Sequence, residues 1–357
     1  MGHSAYVAEL ATRLCADHDV HIFANTFDER SDHLTFHHVP ASRINAFASI
    51  VSFIPFADFC TRGQFDILHA QGLCGLSHNV ATAHFCQAAW FAALREQQTK
   101  LDWRQQIFKN VVSPLERLAL TRPKTRTVIA VSNLVRNNMS DFYGRSSDVE
   151  VIYHGVDSRR FHPDNRGQFR HSLRSATRTS QDEFVAIYVG DLKKGANAAI
   201  KAVAKAEGVT LWCVTASNTA AYSQLADALG VADRVRFFPR TRDVEQYFSA
   251  ADAFLFPTLY DPFGLVITEA MASGLPVITS KNAGAAELIS HGSQGLLTDA
   301  PWDDDSIAEN LALLRDSKTA CRDIGDAARK VAEGLTWDAT TEKTLKIYER
   351  IYRETRE

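Results

Sequence analysis

The strongest constraint on how this 357-residue chain folds is the alternation of short, almost wholly apolar runs with stretches of helical periodicity. Val20 to Ala24, Ile67 to Ala70 and Val128 to Val131 read as strands in the first half. Phe184 to Val189, Thr210 to Val214, Val235 to Phe238, Ala253 to Phe256 and Pro276 to Thr279 follow in the second. Between them lie helical patterns such as Lys201 to Glu207, Ala220 to Leu229 and Val244 to Ala250. Strands that are apolar on both faces must be covered on both faces, which predicts α/β domains with doubly wound parallel sheets.

A chain this long exceeds one ordinary core, so two domains are expected. The polar, basic stretch Gly155 to Gln181 divides two similar halves. This predicts an N-terminal Rossmann-like domain over 1–158, a linker over 159–181 and a C-terminal domain over 182–337. A final amphipathic helix, about 338–357, is expected to pack back on the first domain. Ligands of such sheets bind at the carboxyl ends of strands, and two facing domains create a cleft for a small molecule.

Composition narrows the partners. A formal charge of −3 argues against a generic nucleic-acid binder. Six scattered cysteines without a CxxC pair fit a reduced, cytoplasmic protein. No segment reaches the ~18 apolar residues that a bilayer span needs. The nearest, Ile44 to Cys60, is interrupted by Pro55 and Asp58 and reads as a buried helix and loop, with a membrane-inserting role as the lesser alternative. The start lacks the basic and apolar pattern of a signal peptide.

The most informative stretch is ADAFLFPTLYDPFGLVITEAMASGLPVIT, which begins at Ala251. It reads as strand, loop, helix, glycine stop and strand. The loop Tyr260-Asp261-Pro262-Phe263-Gly264 delivers the chain to a helix that starts near Leu265 and stops at Gly274. A helix start offers free backbone N–H groups and partial positive charge to a phosphate, and Gly264 permits close approach. Glu269 is the only charge between Phe263 and Ser273 and needs a partner, for which sugar hydroxyls are suited.

This run resembles the signature of the retaining GT-B glycosyltransferases of family 4, bacterial group 1, which carry two acidic residues with seven between them. Here Asp261 stands first and Glu269 second. The resemblance implies that Asp261 faces the donor sugar and Glu269 the ribose, while Phe263, Gly264, Leu265 and Val266 offer amides to sugar and diphosphate. Other segments match in order. They are Val131-Ser132-Asn133, Tyr153-His154-Gly155-Val156-Asp157 with Phe161, Gly190-Asp191-Leu192-Lys193-Lys194-Gly195, and Arg234 to Pro239. The last implies base contacts near Phe238. Gly190, Lys193 and Lys194 are assigned to the diphosphate, with Lys194 stabilising the leaving group and no divalent metal or cofactor required. His84 falls where the family places a histidine near donor sugar and acceptor.

Departures accompany the match. Asp191 replaces the arginine usual at that place, so either Lys193 takes over or phosphate binding weakens. The relatives open with a strand and a Gly-Gly loop, of which only Gly2 remains, so either the first strand of the N-terminal sheet is missing, which would destabilise that domain, or another segment fills its place. The tract His69, Cys74, His78, His84, Cys86 matches no common zinc spacing. Residues 90 to 126 carry eight Lys/Arg against three Asp/Glu among aromatic residues, which suits either a solvated helix or an anionic membrane surface.

The implied activity is transfer of a hexose, with retention, from a UDP- or GDP-linked sugar to a hydroxyl of a glycan or lipid-linked acceptor. The protein would be cytoplasmic, with attachment to the inner face of the membrane as an option. The rivals are a nucleotide-sugar epimerase of the same fold and a degenerate, non-catalytic relative. A glycosidase would also use two carboxylates but has no use for a phosphate site. No GxGxxG follows a strand, which sets a dehydrogenase aside.

Overall fold

The computed structural model describes residues 2–27, 31–63 and 65–356 and divides into two compact units. The first comprises Met1–Gly155 with Trp337–Glu357, the second Val156–Thr336.

The first unit begins with α1 (Gly2–Leu14), β1 (His21–Ala24), β2 (Thr35–His38) and α2 (Ala46–Cys60). It continues through β3 (His69–Gln71), β4 (Val80–Ala83), α3 (Gln87–Glu96) and α4 (Trp103–Thr121). β5 (Thr127–Ala130), α5 (Asn133–Tyr143) and β6 (Val149–Val151) complete its first pass. Helix α1 buries Tyr6, Leu10, Ala11 and Leu14, the one-face spacing of an amphipathic helix. All strand pairs are parallel, but they form two sheets, β1-β2 and β3-β4-β5-β6. Among the described residues no strand joins β1 to β3, and α1 is the first element.

The second unit contains α6 (Asn165–Ala176), β7 (Phe184–Val189), α7 (Ala196–Lys205), β8 (Val209–Thr215) and α8 (Ala220–Ala228). β9 (Val235–Pro239), α9 (Val244–Ala250), β10 (Ala253–Phe256), α10 (Leu265–Ala272) and β11 (Val277–Ser280) follow. β12 (Leu296–Thr298), α11 (Asp304–Asp316) and α12 (Lys318–Glu333) end the unit. One parallel sheet runs β12-β11-β10-β7-β8-β9, the doubly wound order with its switch point between β7 and β10. β8 and β10 are buried throughout, as expected of strands covered on both faces.

The last helix, α13 (Trp337–Glu354), belongs to the first unit. Its Ile347 and Ile351 join Val80, Ile129 and Ile152 in one core. Beside it, His69 is held between Tyr348 Oη and Thr82 Oγ1 at 2.5 and 2.7 Å. Burial pushes the His69 pKa down to about 3. Glu116 of α4 is buried, pairs with no cation among the described residues, and accepts from Tyr143 Oη and from the Gln87 amide at 2.8 Å. Burial pushes its carboxyl up to about 7 despite those two donors.

Two expectations are corrected. Residues 159–181 are no free linker: they lie in the second unit, whose boundary falls at 155/156. Three of the basic side chains that suggested a linker converge on one carboxylate. Arg166, Arg170 and Arg174 reach Asp252 at 2.8, 2.9 and 2.6 Å, and Arg174 is fully buried. Ile44 to Cys60 is also no buried helix. Helix α2 runs through Pro55 and buries only Ile54 and Ala57, leaving Val51, Phe56 and Phe59 exposed. No helix among the described residues is long and apolar enough to cross a membrane.

Candidate active site

The candidate site is built from the loops that leave β7 and β10, neighbours at the switch point of the second sheet. After β7 the chain passes Gly190 into a 3-10 turn, Leu192–Lys194. Asp191 caps that turn: its Oδ1 accepts from the Lys193 amide at 3.1 Å and from Ser217 Oγ at 3.0 Å. Tyr188 Oη donates to the Asp191 carbonyl at 2.7 Å. Gly195 follows because nothing larger fits. A Cβ there would stand 2.0 Å from the Pro257 carbonyl oxygen.

After β10 the loop is tied down on both sides. The Leu259 amide donates to the Lys194 carbonyl at 2.8 Å, joining the two loops. Asn282 Nδ2 donates to the Leu259 carbonyl at 3.1 Å, and the Asp261 amide to the Asn282 carbonyl at 3.0 Å. Phe263 is buried, and its carbonyl accepts from the Ala285 amide at 2.6 Å. Gly264 turns the chain into α10 with φ +89°, a conformation that favours glycine. No side chain caps α10; the Ile267 amide donates to the Gly264 carbonyl at 2.8 Å, which leaves the Leu265 and Val266 amides of the first turn without a protein acceptor among the described residues.

Lys194 Nζ lies 2.6 Å from Asp261 Oδ2, with the two side chains 30% and 13% exposed. The two residues assigned to phosphate and sugar therefore meet in one ion pair. Glu269, on α10, is half-buried, and burial pushes its carboxyl up to about 7. The nearby Arg160 guanidinium partly offsets this and the Glu245 carboxylate adds to it. No hydrogen bond from the protein reaches the Glu269 carboxylate among the described residues. Arg160 itself pairs with Glu245 at 2.8 Å.

The structure thus collects Gly190, Lys193, Lys194, Asp261, Phe263, Gly264, Leu265, Val266 and Glu269 around two adjacent loops and one helix start. Lys193 is exposed. Phe238 lies farther along the sheet, at the end of β9, packed on Trp212 and Tyr247 with ring centroids 5.3 and 5.4 Å away. His84 and Gly2 belong to the first unit. There His84 follows β4, with Nε2 2.8 Å from Gln71 Oε1 and its ring edge-on to Tyr6, while Gly2 opens α1. Sequence reasoning missed Arg160, Asn282 and Ser217. Each acts through a partner between 23 and 109 positions away, so no local pattern marks it.

Chemically, the arrangement offers a cation, backbone donors at a helix start and two carboxylates. It suits a ligand that carries both phosphate and hydroxyl groups.

Comparison with known proteins agrees. The model described as Glycosyl transferases group 1 matches residues 169–331, and that of Glycosyltransferase Family 4 matches residues 2–160. A D-inositol 3-phosphate glycosyltransferase of Mycobacterium marinum is 33% identical over 214 residues, 57% of this chain and 45% of the relative. The chain spans about half the length of the curated relatives it matches, 45 to 59% among the first five. Among solved structures, WaaG, a glycosyltransferase involved in lipopolysaccharide biosynthesis, superposes with a TM-score of 0.80 at 19% identity, covering 97% of this chain and 96% of that one. Anabaena HepE in complex with UDP and glucose superposes with a TM-score of 0.69 at 21% identity, covering 98% and 96%. The two family models together account for nearly the whole chain, and with the doubly wound units and the loops that carry Lys194, Asp261 and Glu269 they show that it belongs to the group 1, family 4 glycosyltransferases of GT-B fold.

Proposed function

We propose that this chain moves a hexose, with retention and without a divalent metal, from a nucleotide diphosphate sugar to a hydroxyl of a glycan or lipid-linked acceptor. The carrying observation is the meeting of Lys194, Asp261 and the uncapped start of α10 at the β7/β10 switch point. Negative charge grows on the leaving diphosphate as the glycosidic bond breaks. A fixed ammonium and aligned amides lower that barrier selectively. Glu269, bonded to no protein donor among the described residues, is suited to accept from ribose hydroxyls, and Asp261 from the sugar. The UDP and glucose held by the Anabaena relative support a uridine donor, and the lipopolysaccharide role of WaaG supports a cell-surface acceptor.

One observation favours the second reading, a repurposed relative that binds but does not turn over. Asp191 puts a carboxylate where a cation would serve the diphosphate, and it is already engaged in capping the 3-10 turn.

Calorimetric titration with UDP, GDP, ADP and CMP in the presence of EDTA tests the donor site. Selective binding of one diphosphate without metal supports it and names the base. Failure of all four overturns it. Product analysis with the matching donor, with and without acceptor, then separates transfer from epimerisation, which needs no acceptor.

A further inference from the structure

Glu116 of α4 is a buried acid that binding of the donor does not use. It is 4% exposed and pairs with no cation among the described residues, an arrangement that needs a physical reason.

The reason lies at the start of α3. A helix start leaves backbone N–H groups without partners, and a side-chain oxygen at the N-cap usually takes one of them. Here Cys86 stands at the N-cap, and its side chain makes no capping hydrogen bond. Glu116 takes over from another helix, 29 positions along the chain. Its Oε2 accepts from the Gln87 amide at 2.8 Å and from Tyr143 Oη. Tyr143, the last residue of α5, completes the arrangement by accepting from the Ala88 amide at 3.4 Å. Two amides of one helix start are thus held by two other helices. The carboxylate also lies at the positive end of the α3 dipole, which favours it there without a cation. A serine at position 86 would cap the helix within the local chain and bury no charge. Capping α3 therefore does not by itself call for Glu116.

What Glu116 fixes is the short segment in front of the helix. β4 ends at Ala83, and His84, Phe85 and Cys86 are all that separate it from Gln87. The strand is fully buried and paired on both sides, with β3 and β5. Three residues strung between a fixed strand and a fixed helix start leave the His84 backbone little freedom. His84 stands at the carboxyl end of β4, the end at which parallel sheets receive ligands. Its ring is aimed by Gln71 Oε1, 2.8 Å from Nε2, and by Tyr6, edge-on with ring centroids 4.9 Å apart. Gln71 and Tyr6 hold the ring, while Glu116 and Tyr143 hold the backbone that carries it.

We infer that Glu116, oriented by Tyr143, is a positioning residue that holds His84 in place for the transfer step. The inference rests on the transfer reading above, with His84 near the reacting groups. Glu116 touches no substrate and acts through the start of α3. Displacing a reacting group by about 1 Å costs up to about a hundredfold in rate, so a cap that fixes three residues matters to turnover.

Steady-state kinetics of Glu116 and His84 variants test it. Glu116→Ala should lower kcat roughly tenfold or more and move the donor KM less than about twofold. Glu116→Gln keeps an oxygen for the Gln87 amide and should recover most of the loss. In the His84→Ala background, Glu116→Ala should cost nothing further, because the group it positions is gone. A merely structural Glu116 would lower the rate by the same factor in both backgrounds. Equal factors, full turnover in His84→Ala, or an unchanged kcat in Glu116→Ala would each overturn the inference. Should circular dichroism show Glu116→Ala unfolded, Tyr143→Phe carries the same cycle, with a loss of roughly threefold or more expected.

The imidazole nitrogen NMR signals of His84, identified by their loss in His84→Ala, give a readout without turnover. They should shift in Glu116→Ala, or in Tyr143→Phe, and stay in place in Glu116→Gln. Signals that stay in place in the first two would overturn the inference. UDP titration reports on the second unit and should be the same in every variant. No UDP binding by the unaltered protein sinks the transfer reading, while the His84 signals still decide whether Glu116 holds the loop.

Discussion

Lys194 Nζ and Asp261 Oδ2, contributed by the loops after β7 and β10, form an ion pair of 2.6 Å at the switch point of the second sheet. The pair joins the group assigned to the leaving diphosphate with the group assigned to the sugar. On the proposed function, a donor exchanges this contact for its own. Lys194→Ala should weaken UDP binding roughly thirtyfold or more, the worth of a charge-assisted hydrogen bond. Asp261→Asn should act in opposite directions, tightening free UDP several-fold by releasing the lysine while lowering transfer. Calorimetry and donor consumption measure the two effects. A drop in both for Asp261→Asn would contradict the exchange.

Glu269 supplies a pH dependence whose sign is fixed. Its folded-state carboxyl is pushed up to about 7 by burial, above the ordinary value of 4.5. The stability linked to its protonated form is therefore full below about 4.5 and lost as pH rises through about 7. The ionised form is the pure acceptor that ribose hydroxyls require. Donor KM should then fall between about pH 6 and 8, as the carboxylate forms. Glu269→Gln should raise KM roughly tenfold at pH 8 and flatten that profile. A profile that keeps its slope in the variant would assign the titration to another group.

Gly195 is expected to be intolerant of even one methyl group. A Cβ would stand 2.0 Å from the Pro257 carbonyl oxygen, a backbone atom that cannot swing aside as a side chain end would. Gly195→Ala should cost about 2–4 kcal/mol and weaken nucleotide binding, because the Lys194–Leu259 tether lies beside it. Thermal melting and UDP titration of the same sample check both effects. An unchanged melting temperature would show that the loops move apart freely.

Arg174 holds α6 to the second unit. Its guanidinium donates to the carbonyls of Ala250 at 2.8 Å, Ser180 at 2.7 Å and Glu183 at 2.8 Å, and to Asp252 at 2.6 Å. Arg174→Ala would remove all four of these buried contacts, although Ala250 and Asp252 keep Arg170 and Ser180 keeps the Glu183 amide as a donor, and should cost about 3–5 kcal/mol. Arg174→Lys should recover only part, since a single ammonium cannot match the planar fork. Urea unfolding monitored by circular dichroism distinguishes the three proteins. Equal midpoints would mean that α6 is held by its apolar face alone.

The amino-acid sequence by itself determined what neighbouring residues decide among themselves. Apolar runs bounded by helical periods marked β7, β10 and α9 to the residue, because a covered strand and an amphipathic helix are local patterns. The loop Asp261 to Gly264, the start of α10 and its glycine stop were legible for the same reason. The resemblance named Lys194, Asp261 and Glu269 one by one. Only tertiary structure decided how they are used. Lys194 and Asp261 are 67 positions apart, and their contact exists because β7 and β10 are neighbours in the sheet. Glu269 titrates near 7 through burial that no sequence window carries. The basic segment around Arg174 looked like a solvated linker until Asp252, 78 positions on, gave its charges a buried partner. Helix α2 looked like core because it is apolar, yet its outer face stays open. Hydropathy measures what a residue would gain by burial, whereas the fold decides which faces are covered.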